Sequence, residues 1–218
     1  MEVCRPLEEL LALPCRIEND ANCAALGEVA AGAARGMRDT VMVTLGTGVG
    51  SGIVLEGRIF AGQASAGAEL GHTLFVYGGE ECGCGRRGCL ERYTSGTALQ
   101  RQAQRMALER PDSALGKMAQ EEITGRTPFE LMDRDQAARE VVETYLDYVG
   151  AMVTDITNLF RPQAVVLGGG VSPERERLLG PVRQYVREHA YGGTLAPLPE
   201  IVAATLGPDA GIIGAANL

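Results

Sequence analysis

The chain has 218 residues, 45% hydrophobic and 22% charged, with 28 acidic against 20 basic side chains and a formal net charge of −8. That length can bury a core without disulfide staples, and a negative balance with no basic run argues against nucleic acid or an anionic membrane surface as partner. No apolar run approaches the roughly 18 residues of a membrane span, and Met1-Glu2-Val3-Cys4-Arg5-Pro6 lacks the layout of a signal peptide, so a cytoplasmic protein is expected.

The first helix signal is Leu7 to Leu13, apolar and acidic, ended by Pro14; Cys15-Arg16-Ile17-Glu18 then reads as a short strand. Asn19-Asp20 precedes an Ala-rich run, Ala21 to Ala34, with apolar residues at helical spacing and Gly36 where a C-cap belongs. Thr40 to Leu45 is a β-branched strand, and Gly52 to Leu55 is another; Gly46-Thr47-Gly48-Val49-Gly50 joins them as a hairpin. Glu56-Gly57-Arg58 turns into Ile59-Phe60, which predicts a three-strand meander. A Gly-rich region from Gly62 to Gly88 is too long to be left structureless. Helices are expected over Ser95 to Leu108, from the Thr127-Pro128 start, and over Arg134 to Phe160, whose stripe includes Val141, Val142, Tyr145, Leu146, Val149, Val153, Ile156 and Phe160. Ala164 to Leu167 is a buried-strand candidate closed by Gly168-Gly169-Gly170. A helix over Pro173 to His189, a strand over Ile201 to Ala204 and a helix over Ala210 to Leu218 complete the chain. Alternating strands and helices predict an α/β layered sheet.

Three of the six cysteines lie between Cys82 and Cys89, spaced Cys-x-Cys-x4-Cys, with His72 ten residues ahead. Thiolates and an imidazole suit a closed tetrahedral Zn²⁺ site, structural because no coordination position stays open. The alternative is a set of free surface thiols beside an unrelated histidine. The Gly46 to Gly50 segment could let backbone N–H groups approach a phosphate, although by itself a glycine-rich hairpin turn accounts for it as well. Asn19-Asp20 fits a helix N-cap; Asp20 could also take a proton from a hydroxyl nucleophile. Glu69, His72 and Glu91 could hydrogen-bond a polyol, or form a solvated charged loop. Gly168 to Gly170 sits where open α/β sheets admit nucleotides, or makes a plain strand-to-helix turn.

Together these segments resemble the ROK family of bacterial sugar kinases and sugar-responsive repressors, over nearly the whole chain. The resemblance rests on Glu18-Asn19-Asp20-Ala21-Asn22, Thr44 to Gly50, Gly67-Ala68-Glu69-Leu70-Gly71-His72, Cys82 to Glu91, Val166 to Gly170 and Asp209 to Ala215. It implies an actin-like ATPase (ribonuclease H-like) fold in which ATP and a hexose meet in a cleft, glucose being favoured. Carried over, Asp20 is the base for the sugar's 6-hydroxyl, and Asn19, Glu69, His72 and Glu91 contact the sugar. His72, Cys82, Cys84 and Cys89 hold the zinc, in a loop spanning 72–91. Gly46, Thr47 and Gly48 face the phosphates of Mg·ATP, and Gly168, Gly169 and Gly170 the nucleoside. A sugar-binding regulator, or a kinase for an N-acetylhexosamine or fructose, is the alternative.

Family kinases begin with a small N-terminal domain carrying a phosphate-binding strand turn, and no such segment precedes Glu18. Residues 1–20 are therefore expected to be the remnant of that domain and its hinge, and 21–218 the large C-terminal domain. Negligible kinase activity is expected of the chain as it stands. The long Arg134 to Phe160 helix could contribute to a homodimer face.

Overall fold

The sheet starts where the β-branched run predicts it, at Thr40–Leu45 (β1). Val49–Leu55 (β2), Arg58–Ile59 (β3), Ala164–Gly168 (β4) and Glu200–Ala203 (β5) complete it, in the spatial order β3-β2-β1-β4-β5. The computed structural model describes residues 3–170 and 175–218. β1, β2 and β3 pair antiparallel, which is the expected meander, whereas β1–β4 and β4–β5 are parallel. Parallel neighbours need long return connections, and helices supply them here.

Those helices are Cys4–Leu11 (α1), Asp20–Ala31 (α2), Glu91–Thr94 (α3), Gly96–Glu109 (α4), Thr127–Leu131 (α5), Gln136–Phe160 (α6), Arg175–His189 (α7) and Ala210–Ala215 (α8). The twofold period of β1 sends Val41, Val43 and Leu45 to one face, where they join Val165, Leu167 and Ile201 beneath α4, α5, α6 and α7. Met42, Val54 and Val166 point the other way, against Ala25 and Val29 of α2. α8 lies across α2, and a methyl group on Gly27 or Gly214 would collide with the carbonyl oxygens of Ala210 and Cys23 respectively. Small residues therefore set the closeness of that crossing.

The apolar stripe of α6 is buried as its spacing predicts, from Val141 through Ile156, with Phe160 half-buried. It is covered by α4, α5 and α7 of the same chain, so it is not what this helix would offer a second copy. Tyr145 is fully buried and its hydroxyl donates to the Thr94 carbonyl at 2.9 Å; burial pushes its pKa up. Among the described residues no helix is long and apolar enough to cross a membrane.

Several boundaries differ from expectation. Cys15 to Glu18 forms no regular element and pairs with no strand among the described residues, so it is not part of the sheet. α2 ends at Ala31 and not Ala34, because the Glu28 carboxylate takes the Ala33 N–H at 2.7 Å and turns the chain away. Gly36, at φ +80°, closes the following turn and is not the helix cap. β2 begins three residues early, at Val49, so Val49 and Gly50 of the glycine segment are strand. α6 starts at Gln136, after Asp135, whose carboxylate accepts from Ala137 N at 3.2 Å and from Leu115 N at 2.7 Å. The expected start of α7 at Pro173 lies outside the described residues. α8 ends at Ala215, short of Leu218.

Glu28 escaped the sequence reading altogether. Its side chain is fully buried, and its oxygens accept from Ala33 N, Thr205 N and Leu206 N at 2.7–2.9 Å and from Thr205 Oγ1 at 3.2 Å. It ties the end of α2 to the turn after β5, a buried carboxylate made tolerable by four donors.

Candidate functional site

The first two residues of β2 are where the candidate residues meet. β1 and β4 are parallel neighbours, with Thr44 opposite Gly168, so the Gly46–Gly48 turn and Gly169–Gly170 leave the sheet at the same end. Ligands of open α/β sheets bind at such carboxyl ends. A pocket of about 570 Å³ opens there, lined by Gly46, Thr47 and Gly170 together with Gly96, Thr97, Gln100, Thr124, Arg126 and Phe129. The α4 and Thr124–Phe129 contributions are not legible in the sequence beyond the helix expected over Ser95 to Leu108 and the Thr127-Pro128 start. Thr97 is fixed by its hydroxyl, which donates to the Thr47 carbonyl at 2.7 Å, and Gly96 N donates to Gly46 O at 2.9 Å.

Gly48, Gly168 and Gly169 do not line that pocket. Gly48 turns toward Glu91, and a Cβ at Gly48 would strike its carboxylate. Gly168 is the last residue of β4, packed against Met42 and Ala204. Gly169 has φ +93° and presses on the Leu45 backbone, a place only glycine fits without strain.

On the other side of the hairpin, Glu91 accepts from Val49 N at 3.0 Å through one oxygen, and its other oxygen lies 4.0 Å from Cys82 Sγ. Glu69 is exposed on a loop held by Ser51, whose hydroxyl donates to the Ala68 carbonyl and accepts from Leu70 N at 3.3 Å. Gly71 packs against the Val49 carbonyl, which brings the next residue, His72, to the same end of the sheet. Asn19 and Asp20 are exposed at the start of α2, and Ala21 behind them packs toward Gly50. The capping role falls on Asn19, whose Oδ1 accepts from Ala21 N at 2.8 Å and Asn22 N at 3.2 Å. Asp20 is the first helical residue; its Oδ1 accepts from Ala21 N at 2.8 Å.

The structure brings His72, Cys82, Cys84 and Cys89 together, one ligand atom from each lying within 4.8 Å of all the others. His72 Nδ1 is 3.7 Å from Cys82 Sγ, and Cys84 Sγ is 3.6 Å from Cys89 Sγ. A tetrahedron with Zn–S bonds near 2.3 Å has S···S edges of about 3.8 Å, so donor chemistry and spacing both fit zinc. Burial pushes the Cys89 thiol up to about 12, with its neighbouring thiols adding to the rise, while the Arg86 backbone N–H lowers that of exposed Cys84.

Two anchors hold the knot on the helices. Phe75, Tyr93 and Tyr148 pack as tilted and edge-on rings 5.5–5.9 Å apart, and the Tyr93 hydroxyl accepts from Glu80 N at 2.8 Å. The Glu80 carboxylate faces Arg92, Arg101 and Arg105 at 3.0–3.8 Å. The Gly62–Gly88 region is thus ordered by short turns, the Leu74–Cys89 and Glu81–Arg87 bridges and these anchors, not by long helices or strands.

A mixed sheet with a glycine-lined pocket at its carboxyl ends and a Cys₃His cluster on the neighbouring loop defines a layered α/β domain. The chain belongs to the ROK family, which it matches over residues 1–218. It is 38% identical over 220 residues to a glucokinase of Streptomyces coelicolor, an alignment covering 97% of this chain and 69% of that protein. To a glucokinase of Halalkalibacterium halodurans it is 39% identical over 212 residues, covering 95% of this chain and 64% of the relative. A ROK family glucokinase from Streptomyces griseus, solved in complex with glucose and AMPPNP, superposes with a TM-score of 0.85 at 38% identity, over 98% of this chain and 70% of that one. The expected actin-like ATPase fold is therefore the fold of this chain.

Proposed function

We propose that this chain carries the proton acceptor, the sugar contacts and the nucleotide pocket of an ATP-dependent hexose kinase, with glucose the favoured acceptor. The observation that carries the reading is the double use of one hairpin. Gly46 and Thr47 line a pocket with Gly170, while Val49, two residues on, is clamped by Glu91 beside the Cys₃His cluster. A phosphate donor and a polyol can thus approach opposite sides of one turn. The Streptomyces griseus structure, with glucose and AMPPNP both bound, supports that reading.

On this reading the backbone of Gly46 and Thr47 faces the phosphates and Gly170 the nucleoside, while Gly48, Gly168 and Gly169 shape the turns that carry them. Asn19, Glu69, His72 and Glu91 orient the hexose. Asp20 takes the 6-hydroxyl proton as that oxygen bonds to the γ-phosphorus and the β–γ bridging oxygen leaves on ADP. Mg²⁺ arriving on the nucleotide supplies charge neutralisation. His72, Cys82, Cys84 and Cys89 would hold a structural Zn²⁺, which supplies rigidity to the loop and fixes the His72 ring. A free-thiol cluster with an exposed Cys84 persists in a reducing compartment, so the cytoplasm is the setting we propose. Residues 21–218 form the large domain and residues 1–20 its hinge side; turnover is expected to need a second cleft wall, from the part of the relatives that this chain does not match.

Calorimetric titration with glucose and with AMPPNP tests the reading, followed by a coupled phosphorylation assay across glucose, fructose, N-acetylmannosamine and N-acetylglucosamine. Saturable binding of both ligands is expected. Sugar binding with no nucleotide binding would favour a regulator, and binding of neither would end the kinase reading.

A further inference from the structure

Between the Cys15–Glu18 segment and the body of α2, one carboxylate does two jobs. Glu18 is half-buried, and its Oε1 accepts from Asn19 N at 2.9 Å and from Asn22 Nδ2 at 2.8 Å. Asn22 is almost completely buried, at 4% exposure. Its amide orientation follows from charge, because a flipped Asn22 would set Oδ1 against the Glu18 carboxylate. Asn22 Oδ1 is left buried with no hydrogen-bond partner among the described residues, so the side chain is held from the Glu18 end alone.

The consequence reaches the next two residues. With its backbone N–H taken by Glu18 and its Oδ1 taken by Ala21 N and Asn22 N, Asn19 has every acceptor of its side chain turned inward. Its Nδ2 makes no hydrogen bond among the described residues and, on an exposed residue, is left as a donor. Asp20, with one oxygen on Ala21 N, keeps the other for a ligand. The segment thus presents a donor and an acceptor side by side at the start of a helix. A sugar that offers one hydroxyl as acceptor and the adjacent one as donor matches that pair.

We propose that Glu18 and Asn22 are positioning residues that fix Asn19 as a hydrogen-bond donor to the hexose and hold Asp20 beside it. This rests on the hexose kinase reading above, with the sugar side of the site as the part concerned. Neither Glu18 nor Asn22 needs to touch the substrate. Glutamine at position 18 can still accept from both N–H groups through its carbonyl oxygen; alanine cannot.

The test compares Glu18→Ala and Glu18→Gln with the unaltered chain, by amide hydrogen exchange at Ala21 and Asn22 and by calorimetric titration with glucose and with AMPPNP. Glu18→Ala is expected to speed exchange at both amides and weaken glucose binding, each about tenfold, with AMPPNP affinity unchanged within about twofold. Glu18→Gln should restore both to within about threefold of the original. Equal loss of glucose and AMPPNP affinity, or a glutamine variant as impaired as the alanine one, would overturn the positioning role, as would unchanged exchange in Glu18→Ala. If the unaltered chain binds no glucose while exchange responds as expected, the brace exists but the sugar reading fails, and its assignment to a hexose falls with it.

Discussion

Replacing Glu28 by alanine tests whether a buried carboxylate, and not only the apolar core, holds α2 to the turn after β5. The side chain lies at zero exposure and accepts from three backbone N–H groups and one hydroxyl. Without it, Ala33 N, Thr205 N and Leu206 N lose the acceptor they have in the fold. An unsatisfied buried donor costs about 1–3 kcal/mol, and a water entering the vacated space recovers part of that. The net expectation is a loss of about 3–5 kcal/mol, a large share of the 5–15 kcal/mol typical of whole domains. At roughly 2–4 °C per kcal/mol for a chain of this size, the melting midpoint should fall by about 10 °C. Glu28→Gln keeps the volume and one carbonyl oxygen but points an NH₂ at donors, so about 2 kcal/mol is expected. Urea unfolding followed by circular dichroism, with an unchanged denaturant slope, measures both. Alanine within about 1 kcal/mol of the original chain, or glutamine as costly as alanine, would refute the reasoning.

Other outcomes can be checked independently. On the hexose kinase reading proposed above, Asp20→Asn should lower phosphoryl transfer by about 10²–10⁴-fold, with hexose affinity retained in titration; joint loss of both would remove Asp20 from the base role. Metal analysis of the reduced chain should find zinc, and a Cys82→Ser, Cys89→Ser double variant should not retain it. Burial raises the pKa of Asp155, at an apolar groove lined by Leu70, Leu74, Phe75 and Leu159. The folded chain then keeps that proton to higher pH than the unfolded one. The group's contribution is complete below its unfolded value of about 3.9 and is lost as pH rises through the raised folded value. Asp155→Asn should therefore stabilise the chain by a few tenths of a kcal/mol at neutral pH and change nothing near pH 3; equal shifts at both pH values would contradict this.

Local chemistry was enough to read the elements that depend on it. A β-branched run can only be a strand of the length of β1, a 3.6-residue stripe from Val141 to Ile156 can only be a helix with one buried side, and Cys82, Cys84 and Cys89 are close enough in sequence that glycine turns can gather them. Family motifs extended this to Asn19, Asp20, Glu69 and Glu91, whose roles stand as proposals. What the sequence could not show were contacts between distant segments. Cys15 to Glu18 looks like a strand but finds no strand to pair with among the described residues, because strand pairing is decided by what lies alongside. Glu28 reads as one polar residue in an alanine-rich helix until Thr205 and Leu206, some 177 positions on, bring their N–H groups to it. Gly96, Thr97 and Arg126 join Gly46 and Gly170 in one pocket only because α4 begins where the β1–β2 turn ends. Periodicity and turn chemistry act over a few residues, whereas a buried charge and a pocket wall are set by donors and surfaces that only the closed chain brings within hydrogen-bond reach.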